Sequence, residues 1–87
     1  MTYRFITDPG HGWLEVPVAD LPTVGLKPTD FSRFSYQSRD GVMLYLEEDC
    51  DATKFINEYY ARYGRPDMTE EYQEHTFVRN LKRIGDA

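Results

Sequence analysis

The chain has a single cysteine and no long apolar run. Because Cys50 is the only cysteine among 87 residues, no internal disulfide can form, whereas small secreted domains usually depend on several. The first residues lack the apolar stretch of a secretion signal, and no apolar run approaches the length of a membrane span. We therefore expect a cytoplasmic protein that does not engage a membrane.

Positive charge is also scarce. Fifteen acidic residues against ten basic ones leave a formal net charge of −5. Nucleic-acid binding depends on Lys and Arg side chains that neutralise phosphates, so direct binding of nucleic acid is disfavoured. The acidic excess lies mainly within residues 45–64, which predicts a basic protein surface as the partner.

Motifs of known enzyme classes are missing. The chain has no P-loop, no dinucleotide-binding fingerprint and no Gly-x-Ser-x-Gly motif. Its two histidines and one cysteine do not follow a zinc-binding spacing. We therefore predict no catalytic residues, no bound metal and no cofactor.

The length and pattern of the chain predict one small α+β domain over residues 1–87. Alternating residues on either side of Asp8-Pro9-Gly10 predict a hairpin over residues 2–16. Asp40-Gly41, between the apolar runs 34–37 and 42–46, predicts a second hairpin. We expect an antiparallel sheet of about four strands.

The clearest element is an amphipathic helix over residues 51–63. Its apolar and tyrosine residues recur at helical spacing, and Gly64 is well placed to end it. We expect the helix to pack on one face of the sheet against Val42, Leu44 and Leu46. Residues 70–84 are compatible with a strand or a helix, and we favour a last strand over Glu71–His75 followed by an irregular or helical end.

An acidic run precedes this helix. Carboxylates stabilise a helix N-terminus, and Asp49 or Asp51 is a natural N-cap. A helix needs only one acid as its cap, so the run has more acids than capping requires, among them Glu47 and Glu48. The additional acids predict either a negative patch that binds a basic protein or oxygen ligands for a cation. The helix N-terminus lowers the pKa of the Cys50 thiol, whereas the nearby carboxylates raise it. Because the two effects oppose each other, a reactive thiolate is not indicated.

The loop around His11 allows a second interpretation. His11 lies between two glycines and, as a catalytic base or metal ligand, would need carboxylates such as Glu15 or part of the run 47–51 in the same pocket. This alternative, a small metal-binding or hydrolytic enzyme, requires His11 to lie within about 10 Å of that run. Trp13 has two interpretations, a core residue or an interface anchor.

Four segments together resemble a family of small uncharacterised proteins from bacteriophages, prophages and other bacterial mobile elements. These segments are Thr7–Pro17, Phe34–Tyr36, Tyr45–Ala52 and Phe77–Leu81. The resemblance implies a bacterial or phage-infected cytoplasm and carries over no catalytic residues. Small acidic proteins of this origin often bind a host protein, and inhibitors of CRISPR-Cas complexes are one such class.

We therefore predict a non-enzymatic protein-binding module, with a structural or homo-oligomeric role as a further alternative. Its target would be a host protein with a basic surface, such as one that binds nucleic acid. The predicted binding residues are His11, Trp13, Glu47, Glu48, Asp49, Asp51 and Tyr60.

Overall fold

The computed structural model describes residues 2–85 of the chain. Within this range the backbone forms six strands, one α-helix and three short 3₁₀ turns. The main elements are β1 (Thr2–Thr7), β2 (Gly12–Pro17), β3 (Tyr36–Gln37), β4 (Met43–Glu47), α1 (Asp51–Tyr63), β5 (Asp67–Tyr72) and β6 (Lys82–Arg83). The 3₁₀ turns are Val18–Val24, Pro28–Asp30 and Phe77–Asn80.

The strands form one open mixed sheet in the order β5-β1-β2-β4-β3-β6. The α+β class and both predicted hairpins are confirmed, since β1 pairs with β2 and β3 with β4 in antiparallel fashion. The prediction of about four antiparallel strands is wrong, because β5 and β6 extend the sheet and β5 runs parallel to β1. Neither face of β5 is covered, so its sequence lacks the apolar alternation that reveals a strand.

Helix α1 covers one face of the sheet. Phe55 is fully buried there and meets Tyr3 edge to face, with ring centroids 5.3 Å apart. Leu44 and Leu46 belong to the same core, as predicted. Val42 does not: its side chain is 55% exposed, because it precedes β4 in the hairpin turn.

A smaller core lies on the opposite face. Trp13 and Tyr45 point there because side chains alternate along a strand, and Ile6, Tyr36 and Val78 join them. Val78 comes from the 3₁₀ turn after β5. The segment 70–84 is thus a strand to Tyr72, a 3₁₀ turn over Phe77–Asn80, and then β6.

The helix boundaries match the prediction, but the N-cap does not. The N-cap residue is Cys50, which makes no side-chain cap, and Gly64 ends the helix with a φ of 82°. Asp51 is instead the first helical residue, 2% exposed, and its carboxylate accepts hydrogen bonds from Ser32 and Ser35. Asp51 therefore ties the helix to the residues between the 3₁₀ turn Pro28–Asp30 and β3. This contact is distant in the sequence, so local capping rules do not predict it.

The helix provides a test of the main core. Replacing Phe55 by Ala should lower the free energy of unfolding by about 3–5 kcal/mol, because it removes a fully buried ring. The matched variant Tyr60→Ala, at a position 63% exposed on the same helix, should change it by less than about 0.5 kcal/mol. Urea unfolding of both variants measures the difference, and equal losses would contradict this packing.

Candidate functional site

An open pocket of about 390 Å³ lies where the 8–11 loop, the end of β4 and the C-terminal segment, residues 77–84, meet. Aromatic, acidic and basic side chains share its wall, so it combines apolar surface with charges of both signs. Its lining residues are His11, Trp13, Phe34, Tyr36, Glu47, Asp49, Cys50, Arg79 and Arg83.

The aromatic floor of the pocket is built from two buried rings. Trp13 and Tyr36 meet in a T-shaped arrangement with centroids 6.2 Å apart. The Arg79 guanidinium lies 5.2 Å from the Trp13 ring centroid, and that of Arg83 lies 5.0 Å from the Tyr36 centroid. Both distances suit cation–π attraction, so the two arginines are held against the floor. Phe34, 63% exposed, adds an apolar rim.

The Asp8 carboxylate organises the loop beside the pocket. It accepts hydrogen bonds from the backbone N–H groups of Gly10 and His11, at 2.9 and 2.8 Å, and pairs with the Arg79 guanidinium. Arg79 and these N–H groups hold the pKa of Asp8 well below its usual range. One carboxylate therefore fixes both the 8–11 loop and the C-terminal segment that lies over Trp13.

His11 lies close to part of the acidic run. Metal-ligating atoms of His11, Glu47 and Glu48 all lie within 4.8 Å of one another. His11 therefore lies within the distance of about 10 Å from the acidic run that a shared site requires. Glu15 is occupied elsewhere, since both its oxygens accept hydrogen bonds from Arg4, at 3.3 and 2.7 Å.

The remaining predicted binding residues lie in different environments. Trp13 and Asp51 are each 2% exposed, so their side chains are not accessible to a partner. Asp49 is exposed on the pocket wall, and Tyr60 is exposed on α1. Partial desolvation, followed by the charges of neighbouring carboxylates, raises the pKa of the Cys50 thiol, in line with the prediction that it is not a reactive thiolate.

A second candidate surface, which sequence reasoning missed, is the outer edge of β5. This strand pairs with β1 on one side and ends the sheet on the other. It has three carboxylates, and Met68 and Tyr72 are 45% and 59% exposed. The signal in the sequence was weak, because a strand that is exposed on both faces has no apolar pattern.

Comparisons with protein-family models, with curated proteins and with solved structures found no match. Within residues 2–85, none of the helices combines the length and the apolar character needed to cross a membrane.

The Asp8–Arg79 pair predicts a specific acid sensitivity. Because the folded pKa of Asp8 lies below its unfolded value, its contribution to stability is complete above the unfolded pKa and is lost as the pH falls below it. Asp8→Asn should therefore be less stable than the wild type at neutral pH, with a difference that shrinks below about pH 4. Urea unfolding at several pH values measures this.

The partner residue provides the control for this test. Arg79→Gln removes the same ion pair and should reproduce most of the loss at neutral pH. Parallel stability curves for the wild type and Asp8→Asn over the whole acidic range would contradict the assigned role of Asp8.

Proposed function

We propose that this protein is a non-enzymatic protein-binding module that takes up a basic, extended segment of a partner along the outer edge of β5. The observation that supports this most is that a six-residue strand with an acidic sequence ends the sheet and is exposed on both faces. Such an edge is a template for an added strand. Native proteins protect such edges with prolines or with charged side chains, lysine above all. β5 has no proline and no lysine, and its charges are all acidic, so they repel a second acidic strand but not a basic one.

The backbone of β5 has hydrogen-bonding groups that point outward. The N–H of Gln73 donates to the Thr7 carbonyl at 2.8 Å, so it points toward β1. Because N–H groups alternate sides along a strand, those of Met68, Glu70 and Tyr72 point away from β1. An added strand would pair with these three residues.

The charge of β5 selects the kind of strand that it can accept. Asp67, Glu70 and Glu71 place three acids on six residues. Arg4, which also pairs with Glu15, pairs with Glu71 at 3.1 Å. A basic segment would complement this charge, whereas a second copy of β5 would bring acids close to acids. The exposed side chains of Met68 and Tyr72 add apolar contact area on one face of the strand.

The resemblance to mobile-element proteins supports the choice of partner. We propose a cytoplasmic host protein whose basic segment normally contacts nucleic acid, such as a component of a defence complex. Compared with the sequence-based prediction, this proposal keeps an acidic, tyrosine-bearing surface but moves its centre from residues 47–51 to β5.

The backbone of β5 provides the first test. Glu70→Pro removes one outward N–H, while the hydrogen bonds toward β1 remain, because proline is tolerated on the free side of an edge strand. We expect an immobilised wild-type chain to capture a stoichiometric basic protein from bacterial lysate, identified by mass spectrometry, and the Glu70→Pro chain to lose most of it. In the complex, hydrogen exchange should slow at Met68, Glu70 and Tyr72.

A pair of charge variants provides the matched control. Asp67→Asn with Glu70→Gln, and Glu48→Gln with Asp49→Asn, each remove two negative charges. Only the first pair should weaken capture. Loss of capture in the second pair alone would transfer the site to the acidic run. A stable homodimer that the Glu70→Pro variant abolishes, seen by light scattering, would favour the oligomeric alternative instead.

A further inference from the structure

His11, Glu47 and Glu48 together offer one imidazole nitrogen and two carboxylate oxygens. These ligands come from two separate segments, the 8–11 loop and the end of β4, which adjoin along the β2–β4 pairing. We infer that the three side chains form a binding site for a divalent transition-metal ion of the zinc class. This inference does not depend on the proposed partner surface at β5.

The distances are compatible with coordination after small side-chain movements. Zinc binds nitrogen and oxygen ligands at about 2.0–2.2 Å, which places tetrahedral ligand atoms roughly 3.4 Å apart. The three ligand atoms already lie within 4.8 Å of one another. His11 is exposed and Glu48 is half-buried, so both can rotate toward an ion held by Glu47.

Glu47 is the fixed ligand of the three. Its residue is 8% exposed, and its Oε2 accepts hydrogen bonds from the backbone N–H groups of Asp49 and Cys50, at 3.0 and 3.1 Å. Such outer hydrogen bonds orient a metal-binding carboxylate and keep it in place. The backbone N–H of Glu47 is itself held by the Ser35 hydroxyl, at 2.9 Å.

Gly12 leaves the room that Glu48 needs. A Cβ atom at this position would lie 3.1 Å from Glu48 Oε2 and 2.8 Å from the Phe5 ring, so a larger residue would displace the carboxylate. The N–H of Glu48 also donates to the Gly12 carbonyl at 3.0 Å. The Glu48 carboxylate therefore lies in a space that Gly12 leaves free at the start of β2. This space depends on Gly12 and not on the acidic run.

The local charges favour a cation at this place. Glu47, Glu48 and Asp49 lie together, and a bound ion would relieve their mutual repulsion. The two arginines of the pocket are engaged with other groups. Arg79 is paired with Asp8, and Arg83 lies over Tyr36 and donates to a backbone carbonyl.

The ligand set selects the type of ion. An imidazole favours zinc-class ions, whereas Ca²⁺ and Mg²⁺ prefer sites made of oxygen alone. Three protein ligands leave a coordination position open, and the pocket beside His11 and Glu47 is where a water molecule or a small ligand would take it.

The test is Zn²⁺ binding by the full chain after treatment with a chelator. Isothermal titration should show one site per chain, and Zn²⁺ should raise the melting temperature by stabilising the folded state. His11→Ala and Glu48→Gln should each weaken binding at least about tenfold, as loss of groups at a metal site does. His75→Ala, at the only other histidine, should bind as the wild type does.

Circular dichroism identifies any variant that fails to fold. The visible spectrum of bound Co²⁺ provides a second readout, and it should differ from that of the wild type in both Glu48→Gln and His11→Ala. Unchanged Zn²⁺ affinity in His11→Ala would overturn the inference. Loss of binding in Cys50→Ser with retention in His11→Ala would overturn it too, as would Ca²⁺ or Mg²⁺ binding as tight as that of Zn²⁺. The β5 variant Glu70→Pro should bind Zn²⁺ normally, which separates this test from that of the partner surface.

Discussion

The Asp8 carboxylate is the contact on which the pocket depends. It closes the loop of the first hairpin through two backbone N–H groups and holds Arg79, 71 residues further along the chain. Arg79 in turn lies over Trp13, so one side chain positions the loop, the C-terminal segment and the ring between them. Asp8 therefore links the loop that carries His11 to the segment that covers the aromatic floor.

The two cores give the molecule two different kinds of surface. On one face α1 covers the sheet with a continuous apolar layer centred on Phe55. On the other face the short C-terminal segment covers only part of the sheet, and the pocket opens beside that segment. The β5 edge lies outside both cores, so its polar residues can contact a partner without disturbing the packing.

Sequence reasoning predicted the elements with strong local signals. The helix over residues 51–63 and its end at Gly64 follow from helical spacing and from the freedom of glycine at positive φ. The hairpins follow from turn residues between apolar runs. The number of strands did not follow, because β5 is exposed on both faces and β6 has only two residues. Neither segment has the periodic pattern that a prediction needs.

The candidate site divides in the same way. The sequence by itself determined which chemical groups are available, namely one imidazole in a glycine turn, a run of carboxylates and an excess of negative charge. Only the tertiary structure decided that Asp51 and Trp13 are buried, that His11 meets Glu47 and Glu48, and that an acidic strand ends the sheet. The physical reason is that these outcomes depend on strand pairing and on contacts between residues distant in the chain, which local patterns do not encode.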